Sequence, residues 1–383
     1  MALIGKEGRR DFLLAAGGLV LAAGSAEAET LPAVPPAAPK HHIRFAVCGI
    51  SHDHIHAMIG AIQRGGGELT AWWGAEPDKG RAFLRRYPGA RAARSQDEVL
   101  HDPSIQLVLS SHIASERAGI GVRAMRAGKD FLADKPGITT LEDLALVRKT
   151  IAETGRKFAI LYSERLEVKA AVHAGELIAR GAIGKVIQTI NIAPHQVIQP
   201  AGDNGGGAAR PDWFWEDAQY GGILCDIGSH QIDQFLFYTG STKAEIVAAQ
   251  VANLRHPDHP RFQDFGDMML RGDSGVGYVR LDWFTPDGLG TWGDGRLFVL
   301  GTDGYIELRK YANVAVSGQG NNLFVVDAKR ARYIDCNNGA LPFGPDFVAD
   351  VAMRSHVAQD QAQCLLAAEL SIRAQLAATH VTL

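Results

Sequence analysis

A chain of 383 residues, 46% hydrophobic and 21% charged, can bury a sizeable core, and its length favours two domains. The formal net charge of -3 and the lack of any basic run give no electrostatic reason to bind nucleic acid or an anionic membrane. Small-molecule chemistry is the class that remains.

Residues 1–28 read as a secretion signal. A basic start ends in Gly8-Arg9-Arg10-Asp11-Phe12-Leu13-Leu14, an apolar stretch runs to about Ala23, and Ala26-Glu27-Ala28 fits a small-x-small cleavage site. The stretch is shorter than the roughly 20 residues a membrane span needs, so no stable membrane insertion is expected after cleavage. Paired arginines predict export to the periplasm by the twin-arginine route, which carries folded proteins and so suits one with a tightly bound cofactor. Residues 29–40 follow as an arm. Within it Leu31 to Pro39 holds four prolines, which fix φ and remove donors, and it is expected to form neither helix nor sheet.

From residue 41 to 161, short apolar runs alternate with helical patterns. Ile43 to Cys48, Leu69 to Trp73, Ile105 to Leu109, Phe131-Leu132 and Phe158 to Leu161 read as strands, with helices such as Ala118 to Ala127 and Leu141 to Glu153 between them. This alternation predicts an α/β domain with a doubly wound parallel sheet. Residues 162–383 read differently, as an α+β domain with a large, mainly antiparallel open sheet. Helices are expected over Val168 to Arg180, Gly222 to Tyr238 and Gln359 to Ala378. In Tyr278 to Phe284, Val279, Leu281 and Trp283 share one face, so helices cover that sheet on one side only. Leu297 to Leu300 and Tyr305 to Leu308 form a hairpin whose Asp303-Gly304 suits positive φ. Cys48, Cys225, Cys336 and Cys364 are widely spaced with no C-x-x-C pair, and read as four free, mostly buried thiols.

The turn after the first strand is placed to receive a dinucleotide pyrophosphate on a helix N-terminus. Here it reads Gly49-Ile50-Ser51-His52-Asp53-His54, with Ser51 and His54 where further glycines are usual. Glu76, after Leu69 to Ala75, is positioned for the ribose hydroxyls, and its carboxylate favours NAD over NADP. Its plainer role is a helix cap. His52, His54 and His56 suggest a metal site, but H-x-H-x-H entering a helix scatters the rings, so no metal is expected.

Gly128 to Pro136 ends in Asp134-Lys135-Pro136. This puts Lys135 at the carboxyl end of a parallel strand, before a proline with a candidate cis bond. Asp226 and His230 stand at i and i+4 on one helix face. Oxidising an alcohol removes a hydride and a proton. A histidine of near-neutral pKa serves as the base, His230, and Lys135 stabilises alkoxide character. Asp226 either binds a substrate hydroxyl or orients the imidazole, and Asp233 is the supporting partner. Taken singly, each residue has an ordinary structural reading.

Together, the turn at Gly49, Gly128-Lys129 leading to Asp134-Lys135-Pro136, Gly181-Ala182-Ile183-Gly184-Lys185-Val186, and Gly221-Gly222 through Asp226 and His230 resemble the Gfo/Idh/MocA oxidoreductases. The resemblance covers nearly all of the chain after residue 41. It implies NAD or NADP, sugar, polyol or cyclitol substrates, Lys135, Asp226 and His230 as the catalytic group, and a homo-oligomer, dimer or tetramer. In exported members a proline-rich arm can cover the nucleotide. Nicotinamide-side contacts are assigned to Ser111, Asp134 and Lys135, although Ser110 to Arg117 lacks the usual T-P-N-x-x-H sequence. Candidates for the substrate wall are Glu164, Arg165, His195, Arg210 and Trp213, around a loop containing Gly202 to Gly207. Two other functions stay open at this point: a glycoside hydrolase that oxidises its sugar transiently, and a non-catalytic binding protein.

Overall fold

The computed structural model describes residues 27–35, 38–197, 210–315 and 318–382. Most of the signal segment, Pro36-Ala37 of the arm and the Gly202 to Gly207 loop lie outside them. The first element, β1 (Glu27–Thr30), pairs in parallel with a distant strand, Ala331–Asp335, and Leu31 N–H donates to Asp335 O. Prolines begin only at Pro32, so the preceding backbone keeps its donors, and the junction expected after Ala28 falls inside this strand. Leu31 lies on the strand just named, and Pro39 lies against Gly66 at the amino edge of the parallel sheet, opposite the turn at Gly49.

That sheet holds β2 (Ile43–Cys48), β3 (Gly67–Trp73), β4 (Arg91–Ala92), β5 (Leu107–Ser110), β6 (Asp130–Asp134) and β7 (Phe158–Leu161). Every pairing is parallel, in the order β4-β3-β2-β5-β6-β7. Its central strands are apolar on both faces because helices cover both: β5 and β7 are buried throughout. Order reverses between β2 and β5, and the crevice at their carboxyl ends is where ligands of such sheets bind. The crossover helices are α1 (Ile55–Arg64), α2 (Pro77–Arg86), α3 (Gln96–Leu100), α4 (Ala114–Arg126) and α5 (Leu141–Thr154).

Beyond β7 come α6 (Ser163–Leu166), α7 (Lys169–Ala179) and β8 (Val186–Pro194). A short α8 (Asp217–Tyr220) precedes α9 (Ile223–Asp226) and α10 (Gly228–Thr239), which run on through Ile227, with its helical angles and its N–H donating to Ile223 O, as the single helix expected there. Strands β9 (Ala244–Ala252), β10 (Phe265–Gly272), β11 (Val276–Asp282), β12 (Arg296–Gly301), β13 (Gly304–Arg309), β14 (Asn322–Asp327) and β15 (Ala331–Asp335) follow. Then come α11 (Phe343–Met353), α12 (Gln361–Ala377) and β16 (Thr379–His380). The second sheet runs β1-β15-β14-β13-β12-β8-β11-β10-β9-β16 and is mainly antiparallel.

The hairpin of β12 and β13 forms as expected, but neither Asp303 nor Gly304 has positive φ. The turn is held instead from outside, where Thr302 N–H donates to Lys185 O and Asp303 N–H to Ile183 O. One face of the sheet carries helices; the other leaves Ile187, Val247, Met269, Val276 and Leu300 exposed. Helix α12 buries residues all round, including Cys364, Leu365, Ala368 and Ile372. It packs on α9, α10, β9 and α5, so one core runs through both domains. All four cysteines are free and buried. Among the described residues no helix is long and apolar enough to cross a membrane.

Candidate active site

The turn after β2 is built around an absent side chain. Gly49 has φ +105°, and a Cβ there would sit 2.4 Å from His112 Cβ. Gly49 N–H donates to Trp73 O at 2.9 Å and its carbonyl accepts from Ser111 N–H at 3.1 Å, fixing the turn to the ends of β3 and β5. Ile50 is buried. Ser51 Oγ lies 2.7 Å from His112 Nδ1, so its hydroxyl is engaged by protein. His112 stands in the stretch that departs from the family pattern, and it shapes the turn from behind.

The rings of His52 and His54 do not scatter. Both precede the first turn of α1, outside helical periodicity, and they converge on Asp134 with Nδ1 to carboxylate distances of 3.3 and 3.0 Å. His56 lies apart, bonded to Tyr87 Oη at 3.1 Å. The three convergent side chains have metal-ligand chemistry. The same carboxylate, however, also faces Arg117 Nη2 at 3.3 Å and accepts from Lys135 N–H at 2.8 Å, so a cation would meet charge already neutralised. Burial alone would raise the Asp134 carboxyl, but His54 and Arg117 hold it well below its ordinary value. Ser111 Oγ lies 2.8 Å from His52 O and 3.1 Å from Asp134 Oδ2 and ties the turn to β6.

Glu76 occupies the cap position of α2 but makes no capping bond, and its Oε2 is buried without a partner. An orphaned acceptor at the end of β3, a turn opened by the bare Cα of Gly49 and the N-terminus of α1 together fit the ribose and pyrophosphate of a dinucleotide.

Lys135 extends from the end of β6, and its bond to Pro136 is cis. Its Nζ donates to Asp226 Oδ1 at 2.7 Å, and both side chains are buried. Burial would raise the Asp226 carboxyl, but Lys135 takes it below its ordinary value. Asp226 Oδ2 and His230 Nδ1 are buried with no partner. Burial pushes His230 down to about 3, well under the near-neutral value expected for it, so the ring is uncharged at pH 7. Of the charges acting on His230, Glu164 and then Lys135 are the strongest.

Asp233 does not support His230. It pairs with Arg165 at 2.5 and 3.0 Å, which also removes Arg165 from the substrate wall; its guanidinium lies over Phe237. Arg210 is likewise occupied, donating to Val197 O and Gln196 O at 2.7 and 3.1 Å. Trp213 is nearly buried, 6.3 Å from the His52 ring, with Nε1 unpartnered. Glu164 and His195 do face each other, with Oε1 and Nε2 3.9 Å apart.

Two residues escaped the sequence reading. Arg117, 1% exposed, donates to His112 O at 2.7 Å and to Lys135 O and Pro136 O, and so clamps the Lys135 turn. The signal for it is an arginine on the buried stripe of α4, beside Ala114, Ala118 and Gly121. Lys310, fully buried, donates to Glu164 Oε2 at 2.7 Å. Nothing in the spacing announces that partner 146 residues away.

Residues 43–162 match the oxidoreductase family with an NAD-binding Rossmann fold, and residues 171–307 match the GFO/IDH/MocA C-terminal domain. A crystal structure of a protein assigned as an oxidoreductase, from Erwinia carotovora atroseptica, shares 45% identity and superposes with a TM-score of 0.84. The match covers 89% of this chain and all of that one. The chain belongs to the Gfo/Idh/MocA family. Within it, scyllo-inositol 2-dehydrogenase (NAD(+)) of Bacillus subtilis is 26% identical over 306 residues, 77% of this chain and 82% of that enzyme. The 1,5-anhydro-D-fructose reductase of Ensifer adhaerens is 28% identical over 207 residues, 54% of this chain and 59% of its own length. Both relatives are named for oxidation or reduction, which does not favour the hydrolytic alternative for this Gfo/Idh/MocA chain.

Proposed function

We propose that this protein transfers a hydride between NAD and a secondary hydroxyl of a sugar, polyol or cyclitol. The observation that carries the reading is the buried Lys135–Asp226 pair, 2.7 Å apart, beside an uncharged His230 at the carboxyl edge of the parallel sheet. Bound NAD supplies the hydride acceptor. Gly49 and the N-terminus of α1 would hold its pyrophosphate, and Glu76 would accept from its ribose hydroxyls while repelling a 2'-phosphate, which would select NAD over NADP.

The Lys135 ammonium, held in place by Asp226, stabilises the alkoxide that develops as the hydride departs. His230 takes the hydroxyl proton; the Glu164 carboxylate nearby offsets the cost of the imidazolium that forms. The free Asp226 Oδ2 accepts from the substrate. Burial of all three groups keeps water from competing for the proton. The paired arginines near the N-terminus support periplasmic export, and the exposed apolar face of the second sheet supports a homo-oligomer.

The test is a panel of scyllo-inositol, D-xylose and D-glucose with NAD, and 1,5-anhydro-D-fructose with NADH, followed by nicotinamide absorbance. At least one member is turned over by the wild type. His230→Ala binds nucleotide as the wild type does and loses at least a hundredfold in kcat. No turnover of any member, or unchanged turnover by the variant, overturns the reading.

A further inference from the structure

The cleft wall formed by α6 and β8 presents two hydrogen-bond acceptors with nothing to accept from. Glu164 is 2% exposed. Its Oε2 receives Lys310 Nζ at 2.7 Å and Gln231 Nε2 at 3.0 Å, while its Oε1, equally buried, has no partner. Burial would raise this carboxyl, but the Lys310 ammonium takes it below its ordinary value, so it is ionised.

Facing Oε1 at 3.9 Å is His195 Nε2. The other ring nitrogen, Nδ1, lies 3.2 Å from the Ala193 carbonyl. A carbonyl only accepts, so Nδ1 carries the ring proton and Nε2 presents a lone pair. The ring is fixed edge-on between Trp292 and Trp283, with centroids 4.7 and 5.4 Å away. Burial pushes it down to about 4, so it stays neutral at pH 7. Gln231, the residue after His230 on α10, donates to the other oxygen of Glu164 at 3.0 Å, which sets the gap beside the reacting group. A buried carboxylate oxygen with no partner is costly unless a donor reaches it, and His195 Nε2 stands opposite to share that donor.

We propose that Glu164 Oε1 and His195 Nε2 form a recognition subsite for a second substrate hydroxyl, which shares its proton between them while the reacting hydroxyl meets Lys135 and His230. The inference rests on the hydride-transfer reading for the place of the first hydroxyl. It restricts substrates to polyols with a free second O–H, and it rejects groups that only accept, such as a fluorine, an ether or a ketone at that position. Lys310 and Gln231 act as positioning residues, since both hold the other carboxylate oxygen.

The experiment takes whichever panel member is turned over and compares it with its monodeoxyfluoro analogues, in wild type, Glu164→Gln and His195→Phe. A fluorine accepts but does not donate. In the wild type, one analogue other than that at the reacting position raises KM at least tenfold, with kcat within threefold and nucleotide binding unchanged. In both variants the parent sugar's KM rises by a similar factor, and that analogue loses less than threefold more. Glu164→Gln strips Lys310 of its counter-charge and risks misfolding; His195→Phe leaves the Glu164–Lys310 pair intact and keeps the test decisive. Tolerance of fluorine at every non-reacting position, or a fluorine penalty undiminished in the variants, overturns the subsite.

Calorimetric titration of the NAD-loaded protein with scyllo-inositol and D-glucose separates this inference from the one it rests on. Binding lost in His195→Phe supports the subsite even if no hydride moves. Binding by wild type and variant alike, or by neither, sinks it.

Discussion

Lys135 and Asp226 illustrate how a buried charge depends on its partner. Their 2.7 Å contact joins the end of a parallel strand to a helix of the other domain, and neither side chain reaches water freely. Removing one partner of such a pair leaves an uncompensated charge, at a cost of about 3–5 kcal/mol. Asp226→Asn is therefore expected to lower the urea midpoint and to abolish turnover. A variant with the wild-type midpoint would contradict the buried pair. The reacting residues were readable because their positions carry information: a lysine closing a strand before proline, and an acid and a histidine one helical turn apart. Asp233 also sits one turn from His230, yet its partner is Arg165, 68 residues earlier in the chain. Helical spacing shows which side chains share a face but not which distant element arrives to meet them, and Lys310 was invisible for the same reason.

At the scale of elements, the parallel sheet was legible nearly to its ends. Ile43–Cys48 and Phe158–Leu161 coincide with the expected runs because strands buried on both faces read as unbroken apolar segments. The helix expected over Gly222 to Tyr238 was legible as well, Ile227 keeping helical angles and donating to Ile223 O. The scattering expected of His52 and His54 failed because both precede the first turn of α1. The coupling of α4 to the Lys135 turn rests on one guanidinium that bonds His112, Lys135 and Pro136 carbonyls and faces Asp134. A lysine ammonium cannot span these acceptors. Arg117→Lys should cost about 3 kcal/mol in stability, in line with the loss of one or two charged hydrogen bonds, and lower kcat through a displaced Lys135. Thermal melting and steady-state kinetics check both; a variant matching wild type in each would show that the clamp is not needed.

Over the whole molecule, α12 closes one continuous core across two sheets, so the domains are expected to unfold together. Four partly or fully buried histidines set the acid limit of that fold. His52 and His230 are pushed down to about 3 and His195 and His56 to about 4, from an ordinary 6.5, by burial. Unfolded chain binds these protons as pH drops below 6.5 while folded chain does not, so stability is lost from pH 6.5 down toward 3. Each such proton contributes about 1.4 kcal/mol per pH unit at most. Unfolding at pH 5 should take up about three to four protons, measured by calorimetry in buffers of different ionisation enthalpy; an uptake below one would show that these rings are protonated in the fold. The mainly antiparallel sheet and its single helical cover were readable from period-two alternation, whereas the pairing of β1 with β15 joins segments 300 residues apart and was not. The most direct test of the account is a crystal structure of the protein with NADH. The nicotinamide should lie against Lys135 and His230, with the adenosine ribose on Glu76. A nucleotide seated elsewhere, or a nicotinamide turned away from Lys135 and His230, would contradict it.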